Sequence, residues 1–561
     1  MEYLDARRIT GPSLLWNTAG SILDIGCSAE EADDVIRAWE AAVRYMLVAV
    51  GWGHESTCHW RLRGGVSLAL SAPIDALYAA SEINEWAWLC MQSGVEVASF
   101  PDLAAKVDEI RSLIENEVNP ALLQLEAAAS KHAVAFLWDD DDVSVGLGAG
   151  SETWPCRQLP QPDELDWSRF HDIPMGIVTG TNGKTTTVRL ATHILRGTGK
   201  NVGVSCTDWI AVNDSIIERG DWSGPGGARN VLRQKEVDIA ILETARGGLL
   251  RRGLGVNKAD VALVTNIAED HLGDFGSRNL QELLDIKWVV SRAVDTTGTL
   301  VLNADDELLV AKAADYSGNI VWFSLNADNA VAKKHAAAGG LAFVLDGNAL
   351  TKCHGDEREV ICDSSEISIT LNGAARHNTA NALAAAALTY CLGTSIEAIR
   401  NGLKSVTQDD NPGRCNVYEI GGFRVLLDFA HNPQAMRALF DMAGGLPAKR
   451  RLLAFGQAGD RPDDLIAELV RGAWSIGLDA VIVSELEVYH RGRGHGEVYK
   501  VIHDELIRCG AHENQIRHFE QEMESLDAAL DWAKPGDLVI MLALGDGVAI
   551  QEKLKALANN G

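Results

Sequence analysis

Across 561 residues the acidic side chains outnumber the basic ones by 78 to 50, for a net charge of −28. That balance opposes binding along a nucleic-acid backbone or on an anionic membrane, and no apolar run approaches the ~18 residues of a membrane span. With 47% hydrophobic and 23% charged residues the chain reads as globular rather than disordered, long enough for roughly three or four domains of ~150 residues.

The first residues, Met1-Glu2-Tyr3-Leu4-Asp5, lack the basic start and apolar stretch of a signal peptide. The ten cysteines form no CxxC pair, so a zinc knuckle or disulfide framework has no support and a reducing, cytoplasmic setting is expected. Helical periodicity fits residues 28–50, 73–92 and 102–130. Nine of the fifteen tryptophans precede residue 170, and they read as packing in a helical core rather than as a ligand stack. Asp139-Asp140-Asp141-Asp142 opens a Gly- and Pro-bearing stretch to about residue 174, read as a solvated surface loop and linker.

From Pro174 short apolar runs alternate with helical stretches. The runs are 175–179, 237–242, 261–265, 299–302 and 320–323, with helices at 184–196 and 279–293. Apolar strands separated by helices imply a parallel sheet covered on both faces. The longest apolar run, 382–393, follows Asn381. After Asn411-Pro412-Gly413 a second series begins, with strands at 423–429, 452–455, 480–484 and 538–542. The expected fold is α/β: a mostly helical or mixed N-terminal domain over 1–170, a central P-loop domain with a parallel sheet over 171–410, and a Rossmann-like C-terminal domain over 411–561.

The strand at 175–179 runs into Gly180-Thr181-Asn182-Gly183-Lys184-Thr185-Thr186-Thr187 and then a helix. Glycines there let backbone N–H groups close around phosphate oxygens at the positive end of a helix dipole. Lys184 reaches the outer phosphates in such a loop, and the Thr185 hydroxyl ligates Mg²⁺. The spacing is GxxGKT, because Val178 stands where the longer GxxxxGK[ST] pattern has glycine. Two downstream strand ends carry Glu243 and, shortly after Asn266, Glu269-Asp270-His271. Ligands gather at the carboxyl ends of parallel strands, so Thr185, Glu243 and phosphate oxygens suit one Mg²⁺, and His271 fits a second ion less typically.

These motifs resemble the Mur ligase superfamily, and within it the Mur-ligase half of the cyanophycin synthetases. The resemblance rests on GTNGKTTT at 180–187, Asp208, Gly220-Asp221, Gly224-Pro225, ETARGG at 243–248, Thr265-Asn266 and EDHLG at 269–273. It continues through LNADD at 302–306, RHNTAN at 376–381, Pro412-Gly413-Arg414, DFAHNP at 428–433 and GDRPD at 459–463, covering about 172–550.

The resemblance implies ATP-dependent amide-bond formation through an acyl phosphate, with ATP and Mg²⁺ as cofactors and small-molecule or peptide acids and amines as substrates. It implies Lys184, Glu243 and His271 as catalytic residues. Gly180, Thr181, Asn182, Gly183, Lys184, Thr185 and Thr186 would bind phosphate, and Thr185, Glu243 and His271 the metal. Asn378 or Asn381, with Arg414 and Asp428, would hold the adenosine, and Arg246 and His431 would contact substrate. Lys287 stands where many Mur ligases carry a carbamylated lysine; an ordinary helix lysine is the alternative. Arg251, Arg252 and the run His490-Arg491-Gly492-Arg493 are further substrate contacts or surface charges, and residues 409–414 read as a hinge for domain closure. No nucleic-acid or membrane partner is expected, and a homo-oligomer is compatible with the sequence.

Residues 1–170 are too short for the ATP-grasp ligase ahead of the Mur half in cyanophycin synthetases, and they show no nucleotide-sugar domain of the muramyl ligases. The acid and amine therefore stay open: an amino acid, a peptide or an Asp-containing conjugate. Two other readings stand beside the ligase: a folylpolyglutamate-type enzyme extending a non-peptide acid, and a non-catalytic ATP-binding module. The joint presence of Lys184, Glu243 and His271 counts against the module.

Overall fold

The computed structural model describes residues 1–269 and 279–559, so His271 lies outside the described residues. The N-terminal segment is mixed. Helices Ala32–Val50 and Leu77–Ser93 pack on a four-stranded antiparallel sheet in the order Glu2–Ile9, Gly20–Gly26, Gly65–Ser71, Thr57–Leu62. Those four strands are absent from the sequence reading. Gly20–Gly26 and Gly65–Ser71 are short, almost wholly buried runs, and periodicity cannot tell such a run from a buried helical turn. A side chain at Gly20 would stand 2.1 Å from the Leu70 carbonyl oxygen, which is why a glycine opens that strand.

The helix expected over 102–130 is two helices, Leu103–Glu117 and Pro120–Lys131. Pro120 has no N–H to continue the first, and Asn119 caps the second by accepting from Leu122 N at 3.3 Å. Trp39 and Trp86 are each 1% exposed, and Trp39 Nε1 donates to Asn84 Oδ1 at 2.9 Å, so both serve packing.

The first part of the expected linker after Asp139 belongs to a three-stranded sheet, Phe136–Trp138, Asp142–Val145 and Glu152–Pro155, and the rest, to residue 174, is irregular chain with two short 3-10 turns. Its acidic run is the turn of the first hairpin, with Asp140 and Asp141 exposed as expected, but two of its carboxylates are also paired. Asp139 takes Arg233 Nη1 at 2.6 Å, and Asp140 takes both terminal nitrogens of Arg8 at 2.6 and 2.9 Å. Pairing with Arg233 ties this segment to the central domain.

Among the described residues the central sheet has eleven strands. Its parallel part runs Val202–Ser205, Ile239–Glu243, Met175–Thr179, Val261–Val264, Thr299–Asn303, Asn319–Ser324, Leu341–Asp346. Later strands lie on both sides of Met175–Thr179, making that strand the switch point where ligand crevices open. Helix Arg376–Cys391 explains the longest apolar run: residues 382–388 expose no surface, wedged between this sheet and helix Lys184–Arg196.

The C-terminal sheet has six strands, ordered Asn416–Ile420, Phe423–Asp428, Leu538–Leu542, Arg451–Phe455, Ala480–Ser484, Ile516–Phe519. All pairings are parallel except the first hairpin. The two edge strands, 416–420 and 516–519, escaped the sequence reading because half-exposed edges lack a continuous apolar run. No helix among the described residues is long and apolar enough to cross a membrane, and the ten cysteines are unpaired.

Candidate functional site

Four adjacent parallel strands deliver the site residues from their carboxyl ends: Met175–Thr179, Ile239–Glu243, Val202–Ser205 and Val261–Val264. The phosphate loop leaves the first of these. Gly180 and Gly183 both hold positive φ, +142° and +84°. A Cβ at Gly180 would lie 1.9 Å from Thr265 Oγ1, and one at Gly183 would lie 2.2 Å from Asn381 Oδ1. Only glycine permits both the turn and the close approach. Gly183 is the N-cap of helix Lys184–Arg196, whose first N–H groups lack partners within the helix and can face an anion.

The loop is braced from the next strand. Thr181 N donates to Asn266 O at 2.9 Å, Asn182 N donates to Asn266 Oδ1 at 3.0 Å, and Asn182 O accepts from Thr265 Oγ1 at 2.6 Å. Lys184 Nζ rests on Thr181 O at 2.9 Å. Lys287 is 4% exposed and donates from Nζ to Gly180 O at 2.7 Å, tying helix Leu280–Trp288 to the loop.

Thr185 and Glu243 converge through a residue that the sequence reading missed. Thr207 Oγ1 donates to Glu243 Oε1 at 2.8 Å and stands 3.5 Å from Thr185 Oγ1, while Thr207 N donates to Glu243 Oε2 at 3.3 Å. Glu243 is 1% exposed, so its carboxylate is held in place by these donors. A hydroxyl and a carboxylate so arranged form an oxygen-only donor set, which suits a hard divalent cation. The signal for Thr207 was positional: it follows the strand Val202–Ser205 at the same sheet edge as Glu243.

Between the central and C-terminal domains lies a cleft of about 770 Å³. Arg414 and Asp428 both line it. The Arg414 guanidinium lies 4.3 Å from the Phe429 ring centroid and 3.8 Å from Asp208 of the central domain. The Asp428 oxygens accept from Cys415 N and Ala430 N, both at 2.7 Å, each keeping a lone pair for a further donor. Asn381 packs beneath the phosphate loop at Gly183, whereas Asn378 donates to Ile369 O at 2.8 Å. Of the four adenosine candidates, the structure brings Arg414 and Asp428 together.

Arg189, unmarked in the sequence reading, crosses this cleft from the phosphate-loop helix. It donates to Asp208 Oδ2 at 2.5 Å and to Pro412 O at 2.9 Å, and its guanidinium lies 4.3 Å from the Trp209 ring centroid. Burial pushes its pKa down and Asp208 opposes that shift. The expected hinge is therefore anchored to the helix that begins at Lys184.

A second anchor titrates. His193 Nδ1 pairs with Asp410 Oδ1 at 3.0 Å. Burial pushes the Asp410 carboxyl up, but hydrogen bonds from His193 and Thr407 outweigh it and lower the pKa to about 2. A carboxyl depressed below its unfolded value of ~3.9 stabilises the fold above that pH and ceases to do so as pH falls through about 2. The stability of the wild type is thus expected to rise between about pH 2 and pH 4, and Asp410→Asn to flatten part of that rise. Urea melts across this range check it; an unchanged slope in the variant removes the linkage.

The remaining candidates are placed as follows. Arg246 opens helix Arg246–Arg252 just beyond Glu243. Arg252 belongs to an interface within the chain: its carbonyl accepts from Thr10 N at 3.0 Å and its Nη1 donates to Arg8 O at 3.4 Å. His431 Nδ1 meets Phe429 O at 3.0 Å. Arg491 pairs with Asp460, and Arg493 donates to Gly459 O at 2.7 Å and Asp463 Oδ1 at 2.6 Å. These two arginines hold the 459–463 loop of their own domain.

Comparison with known proteins adds the family relation. Residues 178–389 match the family model described as Mur ligase middle domain, and residues 413–545 match that described as Mur ligase, glutamate ligase domain. Cyanophycin synthetase of Synechocystis sp. is 37% identical over 384 residues, 68% of this chain and 43% of that protein. UDP-N-acetylmuramate–L-alanine ligase of Acetivibrio thermocellus is 27% identical, covering 67% of this chain and 72% of that one. E. coli FolC, solved in complex with DHPP and ADP, shares the fold with a TM-score of 0.50 at 20% identity, over 68% of this chain and 89% of that one. The chain spans less than half the length of the cyanophycin synthetase it matches.

Proposed function

This chain belongs to the Mur ligase superfamily, and from that premise we propose that it joins a carboxylate to an amine at the expense of ATP, releasing ADP and phosphate. The observation that supports this most is the meeting of the phosphate loop with the Thr185–Thr207–Glu243 chain at one sheet edge. In this reading the acid's carboxylate oxygen attacks the γ-phosphorus and ADP leaves. The amine nitrogen then attacks the acyl carbon, phosphate leaves, and the nitrogen gives up a proton. Such transfers depend on positioning and charge neutralisation rather than on covalent participation by the protein.

Lys184 and the N-terminus of its helix face the outer phosphates. Thr185 and Glu243 are the groups that would hold Mg²⁺, which when bound neutralises phosphate charge. Arg414 and Asp428 approach the nucleoside from the C-terminal domain. Lys287 acts as a cationic tether for the phosphate loop.

We divide the chain at 1–170, 171–410 and 411–561, and assign the first segment to the acid substrate. Its support is location: Arg7 Nε donates to Leu250 O at 2.8 Å, on the helix that Arg246 opens. The proposal is tested by phosphate release from Mg²⁺·ATP with panels of acids and amines, the products separated by chromatography. Release that needs both an acid and an amine, with ADP as the nucleotide product, is expected. AMP and pyrophosphate, or release indifferent to acid and amine, overturn it.

A further inference from the structure

The phosphate loop is gripped from two domains at one residue. The Asn182 backbone is fixed by the central domain, through Asn266 Oδ1, Asn266 Nδ2 and Thr265 Oγ1 at 3.0, 3.0 and 2.6 Å. Its side chain turns the other way. Asn182 Nδ2 donates to Asn432 Oδ1 at 3.2 Å and to Gln434 Oε1 at 2.7 Å, and Asn432 Nδ2 donates back to Asn182 Oδ1 at 2.8 Å. Asn432 is fully buried and also caps helix Pro433–Gly445, accepting from Ala435 N at 3.0 Å.

We infer that Asn432 is a positioning residue for the phosphate loop: its reciprocal amide pair with Asn182 sets the loop's geometry by the seat of the C-terminal domain. The argument is one of chemistry and place. An amide offers a donor and an acceptor at once, and neither a carboxylate nor a hydroxyl reproduces a closed pair with a second amide. The pair spans 250 positions of sequence. It acts between Gly180 and Gly183, the two positive-φ residues on which the loop turns. A rigid-body shift of the C-terminal domain therefore pulls on the residue whose backbone sets where the neighbouring N–H groups point. This deepens the ATP-ligase reading and rests on it for the identity of the ligand. The coupling between loop and domain does not depend on that identity.

Capping and clasping can be separated. Serine is a good N-cap but cannot form the amide pair, so Asn432→Ser keeps the helix start and loses the pair while the bond from Asn182 to Gln434 stays, and Asn182→Ala loses both contacts without touching any cap. Full-length wild type, both variants and the double variant are compared by hydrogen exchange of peptides covering 180–187 without ligand, and by calorimetric titration with Mg²⁺·ATPγS. Asn432→Ser is expected to speed exchange of the loop in the other domain and weaken nucleotide binding about ten-fold, at an unchanged melting temperature. The double variant is expected to be no worse than the poorer single one, the mark of coupled residues. Unchanged loop exchange in Asn432→Ser, or additive effects in the double variant, overturn the inference. Should Asn432→Ser melt early, Asn182→Ala decides by the same two readouts. Failure of the wild type to bind Mg²⁺·ATPγS would count against the nucleotide reading alone, because the exchange data still judge the clasp.

Discussion

Lys184→Ala is expected to lower ATP turnover about 10²–10³-fold while the fold persists. Fixed charge aimed at the transferring group is the largest single contribution in such reactions, and removing one donor costs roughly 10²–10³. Lys184 is the first residue of its helix, and its Nζ contact to Thr181 O is local to the loop. The turn itself depends on the two positive-φ glycines and the Thr265–Asn266 brace, none of which the substitution removes. Steady-state phosphate release and circular dichroism check the two halves of the expectation. Retained turnover removes Lys184 from the chemistry; loss of the circular dichroism signal makes it a structural residue.

The second large effect concerns metal. Glu243→Gln retains size but loses charge, and it replaces one of the two oxygens that accept from Thr207 by an amide NH₂. Apparent Mg²⁺ affinity is expected to fall at least about ten-fold, roughly 1.4 kcal/mol, with a smaller change in ATP affinity at saturating metal. Thr207→Val should follow in the same direction, because groups that orient a metal ligand typically matter by about 10–100-fold in affinity. Titration of activity with Mg²⁺ at fixed ATP reads both variants. An unchanged Mg²⁺ dependence in Glu243→Gln would leave Glu243 without a metal role.

The sequence located the strand-loop-helix at 175–196 to the residue, because a fully apolar strand, two glycines and an amphipathic helix are local signals. It also placed Glu243 at a strand end, since a charge terminating an apolar run is visible in one dimension. It misread the N-terminal segment, where buried strands of seven residues opening on glycine look like helix fragments, and where Pro120 divides what periodicity joins. The acidic run at 139–142 forms the exposed turn that its composition suggests, but its ion pairs were not legible. Its partners Arg8 and Arg233 lie 132 and 94 positions away, and composition alone does not reveal partners so distant.

By itself, the sequence determined the phosphate loop, the alternation of strand and helix that makes the two later domains α/β, and the residue types able to neutralise phosphate. These follow from backbone conformation and short-range pattern, which the chain carries wherever it goes. Only the tertiary structure decided which of those residues meet. Thr207 reaches Glu243 because two parallel strands end side by side. Arg189 anchors the linker at Pro412 and meets Asp208 because a helix flank faces the domain seam. Asn182 finds Asn432 only when the C-terminal domain is seated. Each contact joins groups distant in sequence, and its geometry is set by the packing of whole sheets and helices rather than by any local preference of the residues that make it.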